Sequence, residues 1–359
     1  MFKDIKQVMK DSVLYGIGNV AVKLVGFILI PLYTDAEYFS TADYGLMGLL
    51  EVTSQILIAV MGLSLYSGLI RWYWDAEYRD KQKTIFFTTL LFTILTSLCI
   101  GSVLWLNVGE LSALLVQQEG YSLGGELPYI LQLLILTSML GAVVEVPQNL
   151  LRLQRKPIYY SLTNIVRLFV TLVLTIYFTI SLHRGVSGVY EAQLVGIVIQ
   201  LLMVLPLVIK NSSCRVDRKC TIQLLVYSYP LVFPAIVGSL LTVFDRYIIN
   251  HFQGLDDVGF YSLGYKVGNT LKVFIVTSVQ LALTPLLMKK MNDPDNKRFY
   301  SKVLTYFSFG LMFCALGLNL FSREGIVWVT TNPDYIEALY VIPFVTYAIF
   351  FSMMRECCM

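Results

Sequence analysis

The chain has 359 residues, of which 56% are hydrophobic and only 14% charged, with 23 Tyr, 21 Phe and a mean hydropathy of +0.67. A soluble domain covers its surface with about 25% charged residues, so this composition excludes a water-soluble globular protein and points to an outer surface facing lipid. Net charge is a modest +3, and how the charges are placed says more than their sum.

The first eleven residues are short and basic. The apolar run after them is too long for a signal-peptide core and no small-residue cleavage site follows, so it reads as an uncleaved first span. A spanning helix needs ~20 mostly apolar residues. Ten stretches qualify, with ends good to about three residues: 12–33, 45–70, 84–106, 128–147, 159–182, 186–209, 224–249, 260–288, 303–321 and 336–354. The second, seventh and eighth exceed the minimum and are expected to tilt or kink. The fold class is therefore all-α, a polytopic membrane protein of about ten transmembrane helices.

Alternate loops differ in charge. One side carries Lys3, Lys6 and Lys10; Arg71, Arg79, Lys81 and Lys83; Arg152, Arg155 and Lys156; Lys210, Arg215, Arg218 and Lys219; Lys289, Lys290, Lys297, Arg298 and Lys302; and Arg355. The other carries only Arg184 and Arg323, among acids such as Asp35, Glu37, Asp43, Glu110, Asp256 and Asp257. Cytoplasmic loops are the basic ones, which places the N-terminus in the cytoplasm. Trp72, Tyr73, Trp74 and Tyr78 read as interfacial anchors.

Tyr38 to Gly45, after the first span, is similar to Phe252 to Gly259, after the seventh. Each turn holds an Asp, one residue, then the Gly that opens the next helix (Asp43 and Gly45, Asp257 and Gly259). Halves repeated in parallel commonly flank a substrate path. This repeat divides the chain into an N-terminal lobe of six helices, 1–215, and a partial C-terminal lobe of four, 216–359. A six-helix second copy would need two more, so the expectation is a shortened chain; a natural ten-helix protein is the other reading.

The sequence resembles the bacterial polysaccharide-export flippases, the oligosaccharide-lipid branch of the superfamily that also holds the multidrug-and-toxin exporters. The residues that carry the resemblance are Gly18-Asn19 with Lys23 and Leu32-Tyr33-Thr34 in the first span, and the basic turn Arg152-x-x-Arg155-Lys156-Pro157. The most specific block is Tyr229-Pro230-Leu231, Asp245-Arg246-Tyr247-Ile248 and Val258 to Lys266, closed by Thr284-Pro285. The family has twelve or fourteen helices, more than are counted here. The resemblance implies a two-lobed helical exporter fold and the transfer of an undecaprenyl-pyrophosphate-linked oligosaccharide across the bacterial inner membrane. The product would be O-antigen, capsule or exopolysaccharide. It also implies a lipid-linked oligosaccharide and membrane lipids as partners, with a polysaccharide polymerase machinery downstream.

Ionisable side chains inside spans cost about 2.5–3.5 kcal/mol each at mid-bilayer and so normally face a cavity or a partner. In the first span Gly16, Asn19, Lys23 and Gly26 share a helical face; in the fifth, Asn164, Arg167, Thr171 and Thr175 do; in the eighth, Ser262, Lys266 and Asn269. Lys23, Arg167, Lys266 and Lys272, with Asn19, are the candidate substrate-binding residues, because fixed cations suit a lipid pyrophosphate. Glu51, Asp245 and Arg246 are the candidates for coupling or gating. The competing reading for each base is structural: a snorkelling side chain, or an interhelical pair such as Lys23 with Glu51. In the seventh span Pro230, Pro234, Gly238 and Thr242 share a face whose freed carbonyls need a cavity or a neighbouring helix.

Enzyme chemistry has little to work with. His183 and His251 are the only histidines, no H-E-x-x-H or C-x-x-C spacing occurs, and no G-x-x-x-x-G-K-[ST] phosphate loop is present. The loop at 107–127 offers Glu110, Glu119 and Glu126 but no base. No catalytic residue, metal, cofactor or nucleic-acid partner is expected. A drug or cation exporter of the same fold is the rival transporter reading, and a membrane-bound polymerase or ligase a more distant one.

Overall fold

The computed structural model describes residues 26–115, 125–213, 215–277 and 296–358. Among them there are helices and turns and no strand. The main helices are α1 (Thr41–Gly62), α2 (Leu65–Trp72), α3 (Gln82–Leu106), α4 (Val108–Leu115), α5 (Leu127–Leu153), α6 (Pro157–Ile176), α7 (Gly185–Asn211), α8 (Arg218–Phe252), α9 (Leu255–Thr270), α10 (Asn296–Leu320), α11 (Ser322–Val329) and α12 (Ile342–Cys358). Short π-helical turns extend α6 through Tyr177–Ser181 and α9 through Leu271–Val276.

Among the described residues seven helices are long and apolar enough to cross a membrane, and the bent pair Pro333–Tyr340 with Ile342–Arg355, at 41°, makes up to eight. These coincide with eight of the ten expected spans. The other two, 12–33 and 260–288, lie partly outside the described residues.

The second span, expected to tilt or kink, is broken outright. Residues 45–70 do not form one helix: α1 stops at Gly62, Leu63 and Ser64 take left-handed backbone (φ 45° and 51°), and α2 starts at Leu65. Left-handed geometry costs a non-glycine residue roughly 1–2 kcal/mol, so the break must be held from outside. Thr96 of α3 does part of this, donating from Oγ1 to the Met61 carbonyl (2.8 Å) that the break strips of its helical partner. Ser64 Oγ donates in turn to the Leu231 carbonyl of α8 at 3.4 Å.

α8 runs 35 residues without interruption through Pro230 and Pro234. At 1.5 Å per residue that is about 52 Å, well beyond the ~30 Å of hydrocarbon it would cross. Pro230, Pro234 and Gly238 are exposed and form one open stripe of this helix.

By packing, the chain falls into two units: one takes residues up to Gly45 together with Asp256 onward, the other Leu46–Leu255. In the second unit α7 packs against both α5 and α6, and α3 against α5. In the first, Leu271, Val276, Leu311, Ala315, Val345, Ile349 and Met353 form a buried cluster joining α9's π turn, α10 and α12. Asn319 of α10 donates to Thr346 Oγ1 of α12 at 2.9 Å.

Within the first unit the first turn meets Asp256 and Gly259, the end of the second. Ser40 and Asp43 cap α1 reciprocally: Ser40 N donates to Asp43 Oδ2 (2.9 Å) and Asp43 N to Ser40 Oγ (3.1 Å). Gly254, at φ 103°, permits the reversal into α9. Thr41 Oγ1 donates to Asp256, and a Cβ on Gly259 would lie 2.6 Å from the Thr41 carbonyl and 3.3 Å from Gly45 N. Gly259 is therefore a close approach of backbone to backbone, which small residues allow between membrane helices.

Of the residues expected as anchors, Trp74 is 65% exposed, whereas Tyr73 and Tyr78 are buried and turn no aromatic face outward. Tyr73 is tied inward: Gln154 Nε2 donates to its hydroxyl (3.2 Å) and Gln82 Nε2 to its carbonyl (2.8 Å). Beside them, Lys81 Nζ meets Asp217 Oδ2 at 2.6 Å. The ammonium, then the Lys219 backbone N–H, hold the Asp217 carboxyl below its usual range. The contact is complete above the ordinary aspartate range and loosens only as pH falls through the lowered value. Exposed pairs of this kind add little stability.

Candidate functional site

A chain of polar side chains crosses three apolar helices in the second unit. Gln148 of α5 donates from Nε2 to Thr163 Oγ1 of α6 (2.9 Å) and accepts at Oε1 from Asn164 Nδ2 (3.5 Å). Gln200 of α7 donates from Nε2 to Asn164 Oδ1 (3.1 Å) and accepts at Oε1 from Arg167 Nη1 (3.1 Å). Thr163 Oγ1 and Asn164 Nδ2 both anchor to the Tyr160 carbonyl, at 2.9 and 2.8 Å. Each amide thus uses its oxygen and its nitrogen in alternation, and the relay ends on the guanidinium of Arg167, in the middle of its span.

Local sequence explains the proximity. Asn164 and Arg167 are three residues apart and share a face of α6. Gly196 lets α7 approach that face: a Cβ there would collide with Thr171 Oγ1 and sit 3.2 Å from the Arg167 carbonyl. Gln200 lies one helical turn beyond Gly196, opposite Arg167. It is 1% exposed, so its amide finds its partners inside the protein or not at all.

Arg167 is half-buried and takes an amide, not a carboxylate, as its hydrogen-bond partner among the described residues. A guanidinium carries five N–H donors, so one bond to Gln200 fixes its direction without neutralising it. Chemically, the arrangement is a fixed cation with donors to spare at bilayer depth, suited to a phosphate or other anion.

Among the described residues, the other expected site residues each have surroundings of their own. Asn19 and Lys23 lie outside the described residues. Lys266, in the first unit, holds its Nζ over the Tyr44 ring, 5.1 Å from the centroid. A cation over an aromatic face is a recognised pairing, and the Tyr44 ring is itself packed edge-on to Tyr335 at 5.7 Å. Lys272 is exposed on the π turn, where its carbonyl accepts from Thr277 Oγ1 at 2.9 Å. Glu51 is exposed on α1. Asp245 Oδ1 accepts from Arg246 N (2.9 Å), and Arg246 Nη1 donates to the Gly48 carbonyl (3.1 Å) across from α8 to α1. Arg167 and Asn164 are therefore brought together, and Arg167, Lys266 and Lys272 are given separate surroundings.

Arg246 is only 6% exposed. Truncating one partner of a buried charged hydrogen bond costs about 1–3 kcal/mol or more. Arg246→Ala is expected to lower the detergent melting temperature of the protein by several degrees, and Arg246→Lys by less. An unchanged melting curve for the alanine variant would show that the Gly48 contact carries no stability.

Gln148, Thr163 and Gln200 were not singled out by the sequence. A search for ionisable groups passes over amides, although a buried amide in a span faces the same demand for a partner.

The family model described as polysaccharide biosynthesis protein matches residues 8–291. No curated protein sequence matches the chain. Among solved structures, an inward-facing multidrug resistance MATE family transporter of the MOP superfamily is similar over 96% of this chain and 80% of its own, at TM-score 0.68 and 16% identity. A MOP superfamily transporter from Pyrococcus furiosus, described as having a binding pocket of reverse polarity that suggests a different function, covers 98% and 81% at TM-score 0.68 and 15% identity. A Vibrio cholerae MATE transporter variant covers 98% and 82% at TM-score 0.66 and 15% identity. At these identities the likeness establishes the fold, that of the MOP superfamily transporters.

Proposed function

Because the chain belongs to the polysaccharide biosynthesis protein family, we propose that it is a flippase that carries an undecaprenyl-pyrophosphate-linked oligosaccharide across the bacterial inner membrane by alternating access. Its product would serve O-antigen, capsule or exopolysaccharide assembly, with the polymerase machinery as the next partner. The observation that carries this reading is Arg167, a mid-span cation whose hydrogen-bond partner among the described residues is the uncharged amide of Gln200. A cation kept unneutralised in an apolar span costs several kcal/mol, and a passing pyrophosphate offsets that cost. Lys23, Lys266 and Lys272, with Asn19, complete the set of substrate contacts we assign; Glu51, Asp245 and Arg246 are assigned to coupling or gating. The lobes we assign are 1–215, with six helices, and a partial second lobe, 216–359, with four.

The rival reading, export of a cationic drug, draws on the MATE transporters of the same fold. The Pyrococcus furiosus relative bears on the choice, since its description links pocket polarity to function within one fold. A cation exporter would favour an acid where Arg167 stands.

Two measurements test the proposal. In cells lacking their own flippase, expression of the full chain is expected to restore surface polysaccharide without lowering sensitivity to cationic dyes; dye resistance with no polymer would favour the exporter. For orientation, alkaline phosphatase fused after Arg184 is expected to be active and fused after Gln154 inactive, as follows from the basic loops. The reverse pattern would overturn the cytoplasmic N-terminus.

A further inference from the structure

We infer that Gln200 is a specificity-determining positioning residue: as an uncharged acceptor it fixes the Arg167 guanidinium while leaving its charge in place, and so makes the site read anions. This rests on the reading of Arg167 as a substrate contact and names what holds that contact ready.

Four observations support it. Gln200 is buried at 1% exposure, so its bonds are not shared with solvent. Its Oε1 accepts from Arg167 Nη1 and its Nε2 donates to Asn164 Oδ1, both at 3.1 Å. Asn164 is fixed in turn by Gln148 and the Tyr160 carbonyl, and Gln148 by Thr163, so the orientation of Gln200's amide is set from α5 and α6. Finally, Gly196 brings α7 to within backbone contact of Arg167, placing Gln200 one turn away with no room for a different approach.

The chemistry of the acceptor decides the outcome. A glutamate has the same length and the same oxygen at that place, but would form an ion pair with Arg167 and cancel its charge. A glutamine accepts the same hydrogen bond without doing so. Preorganisation then matters: a guanidinium already directed by a rigid amide relay loses less side-chain entropy when a phosphate arrives. Gln200 touches no substrate in this scheme, and acts through Arg167.

Full-length protein purified in detergent would be titrated with geranylgeranyl pyrophosphate as probe, with melting temperature followed in parallel. Gln200→Glu is expected to weaken binding about tenfold or more, the order of a cancelled charge-assisted contact, while the melting temperature reports the separate cost of losing the Nε2 donor to Asn164 Oδ1. In an Arg167→Ala background the same substitution is expected to add no further loss, since its effect passes through the arginine. Wild-type affinity in Gln200→Glu, with Arg167→Ala impaired, would overturn the role of Gln200 and leave the flippase reading standing. Wild-type affinity in Arg167→Ala itself would overturn both. If Gln200→Glu does not fold, Gln200→Met removes the bond without adding charge: affinity must then fall, and unchanged affinity overturns the inference.

Discussion

Arg167→Ala is expected to abolish surface polysaccharide while the protein still inserts and accumulates in the membrane. Removing one partner of a buried, hydrogen-bonded charge pair costs about 2–5 kcal/mol of binding, so affinity for a polyprenyl pyrophosphate should fall roughly thirtyfold to several thousandfold. Arg167→Lys should keep part of the activity, because an ammonium supplies charge but not the planar fork. Truncation also leaves the Gln200 oxygen without its donor, a stability cost of about 1–3 kcal/mol. Arg167→Met, which fills the space of the aliphatic stem, separates the two effects. Polymer at the wild-type level in both the alanine and methionine variants, with normal protein abundance, would remove Arg167 from the transport path.

The sequence was legible where one physical demand dominates. Lipid requires long apolar runs, and so α3, α5, α6, α7 and α10 fall where hydropathy places them. Arg167 was legible for the same reason: a mid-span cation stands out against Leu, Val and Ile. The break between α1 and α2 was not, because Leu63 and Ser64 carry no breaking signal of their own. Part of what holds the break is Thr96, thirty-five residues on from the Met61 carbonyl it bonds, and no local pattern announces that. Tyr73 and Tyr78 show the complementary failure. Their spacing beside Trp72 and Trp74 matches an interfacial belt, yet amides from Gln82 and Gln154 pin Tyr73 indoors. Gln148 and Gln200 are ordinary letters until three helices close around them. The polar stripe of α9 was read through Ser262, Lys266 and Asn269, which drew the eye from the glycines interleaved with it.

Those glycines carry the second large effect. Gly264 and Gly268 stand four apart on α9, the small-x-x-x-small spacing by which membrane helices approach closely. The two positions are not equivalent. A Cβ on Gly264 would lie 2.7 Å from the Ala338 carbonyl oxygen, a backbone atom, and 2.7 Å from Val341 Cβ; on Gly268 it would meet the Val345 side chain, at 2.8 and 2.9 Å. Val345 Cγ1 can turn about its χ1, but Val345 Cβ moves only with the α12 backbone, as the Ala338 carbonyl moves only if Pro333–Tyr340 moves with it. Overpacking typically costs about 1–3 kcal/mol, against a gain of up to ~1 kcal/mol when alanine replaces a helical glycine. Gly264→Val is therefore expected to lower the melting temperature sharply and to expose the segment after Asp256 to protease, with Gly264→Ala and Gly268→Ala intermediate. Gly310 and Gly317 of α10, which have no described residue within 4 Å of an added Cβ, serve as controls: alanine there is expected to be neutral or slightly stabilising. A Gly264→Val protein that melts with the wild type would show that α9 and the 333–340 turn are free to separate, and that the closeness of the two is a consequence of the fold and not one of its supports.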